Sequence, residues 1–290
     1  MDANRFFGKT SLVIVLFHPT DDDIHHLEHV AQLYPGVIVD NSENRCFESE
    51  HVHQMDYIFL GGNKGIAHAQ NVGIERLLQD SASNYIVFMD QDSRWEDNYA
   101  QRITEEYESL VQKGIRLSAL GPTVYRRKTG EEYTSIIHKK QFVNDDFILR
   151  PHIIASGCCI RKELFKEVGT FEDGLFIDFV DDEWCWRAKT KGYVCGITPH
   201  LSLQHAIGQK ELHIWKYVII ISAPFRHYYL YRNYLLLVRR KYVPRQWKIS
   251  YGIKFFARFF YFPLFVDKGT ECWKYMCRGI KDGIKGITSY

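Results

Sequence analysis

Two groups of carboxylates carry the chemistry to expect of this 290-residue sequence. The first is Asp90-Gln91-Asp92, directly after the apolar run Tyr85 to Met89. Carboxylates with one residue between them, on an irregular strand end, can face one small volume. Hard oxygen ligands suit Mg²⁺ or Mn²⁺, which keep open positions for phosphate oxygens. The pair could hold a cation that bridges a nucleotide diphosphate. Asp90-Gln91-Asp92-Ser93 ahead of Trp95-Glu96 also reads as a polar turn and helix cap. The second group is Asp178 with Asp181-Asp182-Glu183. Acids in a first helical turn are favoured by the macrodipole. Four within six residues, beside Phe176, Phe179 and Trp184, exceed what capping requires. A carboxylate held beside an acceptor hydroxyl is the usual general base for group transfer. Arg187 stands four residues after Glu183, the spacing of a helical ion pair. His205 ends the strand-like run Leu201-Ser202-Leu203-Gln204 before Gly208, so a third metal ligand or a phosphate contact is open to it.

The surrounding pattern supplies strand ends to hold these groups. Ser11 to Phe17, Val37 to Val39, Tyr57 to Leu60, Tyr85 to Met89 and Leu117 to Gly121 are short apolar runs, the mark of strands buried on both faces. Asp21 to Tyr34 and Asn98 to Lys113 have helical stripes between them. This alternation predicts an α/β fold with a mixed, mostly parallel sheet flanked by helices. In such sheets ligands bind beyond the carboxyl ends of the strands, where Asp90 and Asp92 fall. Asn63 to Ile74 reads as a loop entering a helix rich in small residues. They would admit either a ligand or a close helix–sheet contact. Ile153 to Ile160 reads as a strand, in which Gly157 would let a sugar lie against bare backbone. Val124 to Pro151, with a turn at Lys128-Thr129-Gly130, reads as a loop-rich insertion able to shape an acceptor pocket. Val194 to Ile197 and Leu201 to His205 read as two strands. No Gly-x-Gly-x-x-Gly follows the first strand and no Walker loop occurs, which disfavours two common nucleotide-binding folds.

Hydrophobic content of 46% and charge of 25% are those of a globular protein. Seven cysteines without a Cys-x-x-Cys pair, behind an N-terminus that does not read as a signal peptide, point to reduced thiols in the cytoplasm. The net charge of +2 hides an asymmetry. Residues 226–290 hold 14 Lys and Arg against 3 Asp and Glu, and the remainder holds 23 against 32. Basic surfaces attract nucleic acid, anionic lipid or phosphorylated ligands. Ile253 to Val266 interleaves seven aromatics with Lys254 and Arg258. It is too short and too charged to span a bilayer. It suits an interfacial amphipathic helix, or one packed on the catalytic domain or on a second subunit. Two parts are expected: residues 1–235 as a catalytic domain and 236–290 as a basic, aromatic helical extension.

Seven pieces in order resemble the family 2 glycosyltransferases of the GT-A (Rossmann-like) fold, and among them bacterial rhamnosyltransferases of O-antigen and cell-surface polysaccharide. The pieces are Asp40-Asn41-Ser42; Asn63-x-Gly65-Ile66-Ala67-x-Ala69-x-Asn71-x-Gly73; Asp90-Gln91-Asp92; Ser156-Gly157; Phe176-Ile177-Asp178-x-x-Asp181-x-Glu183-Trp184; His205-x-x-Gly208; and Arg226-x-Tyr228-Tyr229-x-x-Arg232-Asn233. They cover roughly residues 10 to 240. The resemblance implies that His18, Pro19 and Thr20 with Asp40 and Asn41 cradle the nucleotide, helped by Asn63, Gly65, Asn71 and Gln91. It implies Arg226 and Arg232 at the diphosphate, Asp90 and Asp92 at a Mg²⁺ or Mn²⁺ ion with His205 as a possible third ligand, and Asp181 as catalytic base. Many relatives carry Glu-Asp where this chain has Val180-Asp181; the Asp is kept. Asp182 is the rival base, and Asp178, Glu183, Trp184 and Gly157 would face or support the acceptor. The implied reaction is a single inverting displacement. The implied donor is dTDP-β-L-rhamnose, and the acceptor a saccharide or polyprenyl-diphosphate-linked saccharide at the inner face of the cytoplasmic membrane. Peripheral membrane contact would follow, and a homodimer is compatible with it; a nucleic-acid partner is not expected. Competing readings are a UDP-sugar donor, a non-catalytic nucleotide or nucleic-acid binder and, more weakly, a nucleotidyltransferase. The last normally needs a Gly- and Lys/Arg-rich loop where this chain has His18-Pro19-Thr20.

Overall fold

The computed structural model describes residues 9–79, 82–126, 141–144, 146–205, 210–214 and 217–288, with side chains described outside 126–145 and 204–221. The Lys128-Thr129-Gly130 turn and Gly208 lie outside these, as does the side chain of His205, whose backbone ends a strand.

In chain order the first half is β1 (Thr10–Leu16), α1 (Asp21–Leu33), β2 (Gly36–Asp40), β3 (His51–Val52), β4 (Met55–Phe59), α2 (Ile66–Leu78), β5 (Tyr85–Asp90), α3 (Tyr99–Gln112) and β6 (Leu117–Arg126). The second half is β7 (Gln141–Asn144), β8 (Phe147–Arg150), β9 (Cys159–Arg161), α4 (Leu164–Glu167), α5 (Val180–Thr190), β10 (Val194–His205), β11 (Lys210–Ile214), β12 (Tyr217–Ile221), α6 (Arg226–Val238), α7 (Arg245–Phe265) and α8 (Gly269–Lys285). Ten strands form one mixed sheet in the order β3-β4-β2-β1-β5-β9-β6-β10-β8-β7; β11 and β12 pair separately. β4, β2, β1 and β5 run parallel, in a register that sets Phe59, Asp40, Leu16 and Asp90 along one edge.

The apolar runs are buried on both faces because successive side chains point to opposite sides. Leu12, Ile14, Leu16, Val87 and Met89 pack under α1 and α3, whereas Val13, Ile86 and Phe88 pack with α2 and α5. Gly73 lets α2 settle on β1, since an added Cβ would stand 2.7 Å from Val13 Cγ1. Close helix–sheet packing is thus the use made of these small residues.

Three sequence expectations are corrected. Ile153 to Cys158 is a loop, buried except at Ile154, and only Cys159–Arg161 is strand. A turn closed by Cys158 N–H to the Ala155 carbonyl (2.8 Å) and a φ of +73° at Gly157 break the run. β6 does not stop at Pro122, and β10 is one strand rather than two. The β6–β10 register shifts between Ile197 and Ser202, beside Pro122, and such an irregularity accommodates a residue without an N–H.

Candidate active site

The two acidic groups, some ninety residues apart in sequence, meet across one dipeptide. Gly157 N–H donates to the Phe88 carbonyl at 2.7 Å, which lays the loop before β9 against the end of β5. Ser156 Oγ then lies 3.1 Å from Ser93 Oγ, and Ala155 N–H donates to Asp181 Oδ2 at 2.9 Å. Asp181 is therefore anchored to the same loop that braces Asp90-Gln91-Asp92. Burial against an apolar lining that includes Ile153, Cys158, Phe171 and Trp184 pushes its carboxyl up to about 7. The Ala155 N–H opposes that rise, while the charges of Asp182, Asp90 and Asp178 add to it. Asp182 is also raised by burial and sits 3.8 Å from His152 Nε2, which lowers it. Of the two candidate bases, Asp181 is the one braced against the β5 end.

Asp90 and Asp92 are half-buried at that end. Among the described residues the Asp92 carboxylate takes no hydrogen bond or ion pair, which leaves its oxygens for a hard cation. This donor chemistry fits Mg²⁺ or Mn²⁺ at the pair. Gln91 between them is committed elsewhere: its Oε1 accepts from Phe17 N–H at 2.7 Å and its Nε2 donates to the Phe17 carbonyl at 3.1 Å. It ties the β5 loop to the end of β1. There Phe17 and His18 are exposed and stack at 4.1 Å, a flat platform suited to a nucleobase. His18 also pairs with Glu43. Sequence reading passed over Phe17, whose only signal was an aromatic ring at a parallel strand's carboxyl end.

Several residues expected at the donor or acceptor make hydrogen bonds or packing contacts within the fold. Asp40 is fully buried. Burial would raise its carboxyl, but donors from Tyr57, Ser42 and Cys46 outweigh it and hold the group below the usual carboxylate range. Asn41 and Asn63 pin their own loop, through Asn41 Nδ2 to Asn63 Oδ1 (3.1 Å) and Lys64 N–H to Asn41 Oδ1 (2.7 Å). Asn71 is buried and brackets Phe171, accepting from its N–H and donating to its carbonyl. Gly65 is filled by Phe176: an added Cβ would lie 2.6 Å from that ring. Thr20 caps α1 in a capping box with Asp23, and Pro19 precedes it half-buried. Gly157 is buried, and a Cβ there would meet Tyr99 Oη at 2.7 Å, so no sugar reaches its backbone. Trp184 is a core side chain that donates from Nε1 to the Gly169 carbonyl at 2.8 Å. Glu183 is fully buried and satisfied by Arg187 (2.8 and 3.0 Å) and the Tyr242 hydroxyl (2.6 Å). The i, i+4 pair read from the sequence exists, and its role is to staple α5 to the chain before α7.

The segment entering α5 is strained. Phe176 (φ +64°, ψ −64°) forms a γ-turn closed by Ile177 N–H to the Leu175 carbonyl at 2.7 Å. Asp178 and Phe179 follow at φ +66° and +67°. Such backbone persists only where neighbours over-determine it, and one face of α6 does so. Asn233 Nδ2 donates to the carbonyls of Leu175 (2.8 Å), Ile177 (2.8 Å) and Asp178 (3.1 Å). Arg232 Nη2 donates to those of Gly174 (2.6 Å) and Leu175 (3.1 Å). Tyr229 stacks on Phe176 at 4.5 Å, and Arg226 pairs with the Asp178 carboxylate. Arg232 is thus not a diphosphate contact; it is fully buried and packs against Tyr228 and Tyr229. Arg226 is half-exposed and divides its charge between Asp178 and the open side. Asn233→Leu is expected to cost about 2 kcal/mol, because the Ile177 and Asp178 carbonyls lose their donor, while that of Leu175 keeps Ile177 N–H and Arg232. It should also lower kcat more than it raises the donor KM, because the loop that aims Asp181 relaxes. A thermal melt with steady-state kinetics checks both, and an unchanged kcat would remove α6 from the positioning of the base.

A family model described as "Glycosyl transferase family 2" matches residues 19–169, ending before Asp178. The chain is 31% identical over 291 residues, 95% of each sequence, to dTDP-rhamnosyl transferase RfbF of Shigella flexneri. Among solved structures, S. aureus TarS 1–349 in complex with UDP-GlcNAc superposes with a TM-score of 0.56 at 12% identity, covering 96% of this chain and 81% of that one. GalNAc-T7 with UDP, GalNAc and Mn²⁺ gives 0.54 at 13% identity, with 97% of this chain spanning only 56% of that one.

Proposed function

Because this chain belongs to glycosyl transferase family 2 and has the GT-A fold, we propose that it is the glycosyltransferase moving L-rhamnose from dTDP-β-L-rhamnose to a hydroxyl of a saccharide acceptor, free or carried on a polyprenyl diphosphate. The observation that carries the donor is the likeness to a dTDP-rhamnosyl transferase along almost the whole chain. The acceptor class fits cell-surface polysaccharide assembly on the cytoplasmic side of the membrane.

The geometry supports an inverting displacement. The nucleobase lies on Phe17 and His18, and the diphosphate crosses the ends of β1 and β5 toward Asp90 and Asp92. Those two carboxylates would hold Mg²⁺ or Mn²⁺, the latter being the ion in the structure of GalNAc-T7 with UDP and GalNAc. When bound, the cation supplies charge that offsets the departing diphosphate. Asp181, above the Ala155 N–H, takes the proton from the acceptor hydroxyl as that oxygen attacks the anomeric carbon. Its raised carboxyl suits this task, since a base with a value near the working pH combines availability with driving force. Ala155 N–H stays on Oδ2, leaving Oδ1 for the acceptor.

The deciding experiment is turnover by purified protein across dTDP-rhamnose, UDP-glucose, UDP-galactose and UDP-GlcNAc, with Mn²⁺ or with EDTA, and with a polyprenyl-diphosphate-linked saccharide present. Turnover of dTDP-rhamnose alone, abolished by EDTA, is expected. Turnover of a UDP-sugar instead would keep the fold and reaction and replace the donor. Silence toward every donor with that acceptor present would overturn the reading.

A further inference from the structure

The outer face of the C-terminal helices is unlike the rest of the surface. On α7, Ile249, Ile253, Phe256, Phe260 and Leu264 follow one another at i, i+4, i+7, i+11 and i+15, a single helical stripe. They are 59–75% exposed. Their neighbours Phe255 and Phe262 point the other way into a small core with Tyr231, Cys272 and Met276. Burial of that inner face therefore does not explain the outer one. On α8, Lys274, Arg278, Lys281 and Lys285 repeat at i, i+4, i+7 and i+11 and are all exposed. Trp273, 40% exposed and 5.6 Å from the Phe259 ring, joins the two helices.

We propose that this α7–α8 face is a docking surface for an anionic phospholipid bilayer, with the α7 stripe set among the acyl chains and the α8 row on the headgroup phosphates. An apolar stripe beside a row of cations is the composition that binds such a surface. Among the described residues no helix is long and apolar enough to cross a membrane, so α7 lies along the surface rather than through it. A second copy of the chain fits less well. A two-fold contact would bring the same patch to itself, setting basic rows against each other in a segment with 14 Lys and Arg and 3 Asp and Glu. The inference rests on the surface of α7 and α8 and is independent of the donor. If the acceptor is lipid-borne, docking holds the active site near it.

The test is flotation of the purified full chain, without donor, on phosphatidylcholine vesicles with or without phosphatidylglycerol. Sedimentation without lipid runs in parallel. The wild type is expected to float with the anionic vesicles and to bind the neutral ones at least about tenfold more weakly. Phe256→Ser with Phe260→Ser should lose binding to both. Lys274→Gln with Lys281→Gln should lose about thirtyfold on anionic vesicles only, at about 1 kcal/mol for each cation near the surface. These side chains are exposed, so both variants should melt like the wild type and turn over donor with a water-soluble acceptor unchanged. Wild-type protein that floats with neither vesicle would overturn the proposal. So would a wild-type dimer that Phe256→Ser and Phe260→Ser convert to monomer, since the face would then join two copies. Failure here leaves the donor screen untouched, and failure of that screen leaves flotation untouched.

Discussion

Asp181→Asn is expected to leave the affinity for dTDP and for the donor within about twofold and to lower kcat by about 10³-fold, the usual worth of a positioned general base. The amide oxygen can still accept from Ala155 N–H, so the loop keeps its place and only the proton acceptor is lost. The wild type should show a matching pH dependence. Burial, with the neighbouring carboxylates, raises Asp181 to about 7, so kcat/KM should climb as pH rises through about 7 and level off above it. The same shift has a consequence for stability, and its sign is opposite to that of most carboxylates. The unfolded chain gives up this proton near the ordinary value of 3.8, while the folded chain keeps it up to about 7. Between those values the native state binds more protons than the unfolded state, so the group's contribution to stability falls as pH rises. It is fully present below the unfolded value and lost above the folded one. Asp181→Asn removes that loss. The variant's Tm should match the wild type near pH 4 and exceed it near pH 8. Thermal melts across that range, beside the kinetic pH profile, check both consequences. A variant that melts lower at every pH, or an acid limb in the profile that survives the substitution, would assign the base elsewhere, with Asp182 next in line.

Asp92→Ala is expected to act on the other half of the reaction. Its carboxylate has no protein partner among the described residues, so its removal should disturb folding little and cation-assisted donor binding greatly. A carboxylate lost from a cation that offsets diphosphate charge is worth about 3 kcal/mol, or about 10²-fold, in the affinity for dTDP measured with Mn²⁺. With EDTA the wild type and the variant should bind dTDP alike. Calorimetric titrations of dTDP under the two conditions give this comparison directly. Equal loss in both would make the Asp92 contact independent of the cation. Equal donor-binding defects in Asp92→Ala and Asp181→Asn would undo the division of labour between the two acidic groups.

How much of this was legible beforehand depended on the kind of signal each residue sends. Tyr85 to Met89 could only be a strand buried on both faces, and Asp90 and Asp92 had to lie at its carboxyl end, because side-chain alternation and strand length are local properties. The i, i+4 pair of Glu183 and Arg187 was equally local. The small residues of α2 were legible as permitting close approach but not as to what approaches, and the structure brings β1 and Phe176 there. Asn71, Glu183, Trp184, Arg232 and Gly157 carry donors, acceptors or bare backbone that suit a ligand, yet each is spent on the fold. Composition does not distinguish a hydrogen bond to a substrate from one to a carbonyl a hundred residues away.

The sequence by itself determined the parallel strands β1, β2, β4 and β5, the end of the sheet where chemistry gathers, the two acidic groups and the basic, aromatic C-terminus. Only the tertiary structure decided that the acidic groups share one site, because Ala155-Ser156 joins them through contacts distant in sequence. It also decided that Asp181 is held near neutrality, because desolvation depends on what packs around a carboxylate rather than on what precedes it in the chain. And it decided that α6 spends its polar face on the strained entry to α5, because left-handed backbone at Phe176, Asp178 and Phe179 is stable only where a distant element supplies the donors.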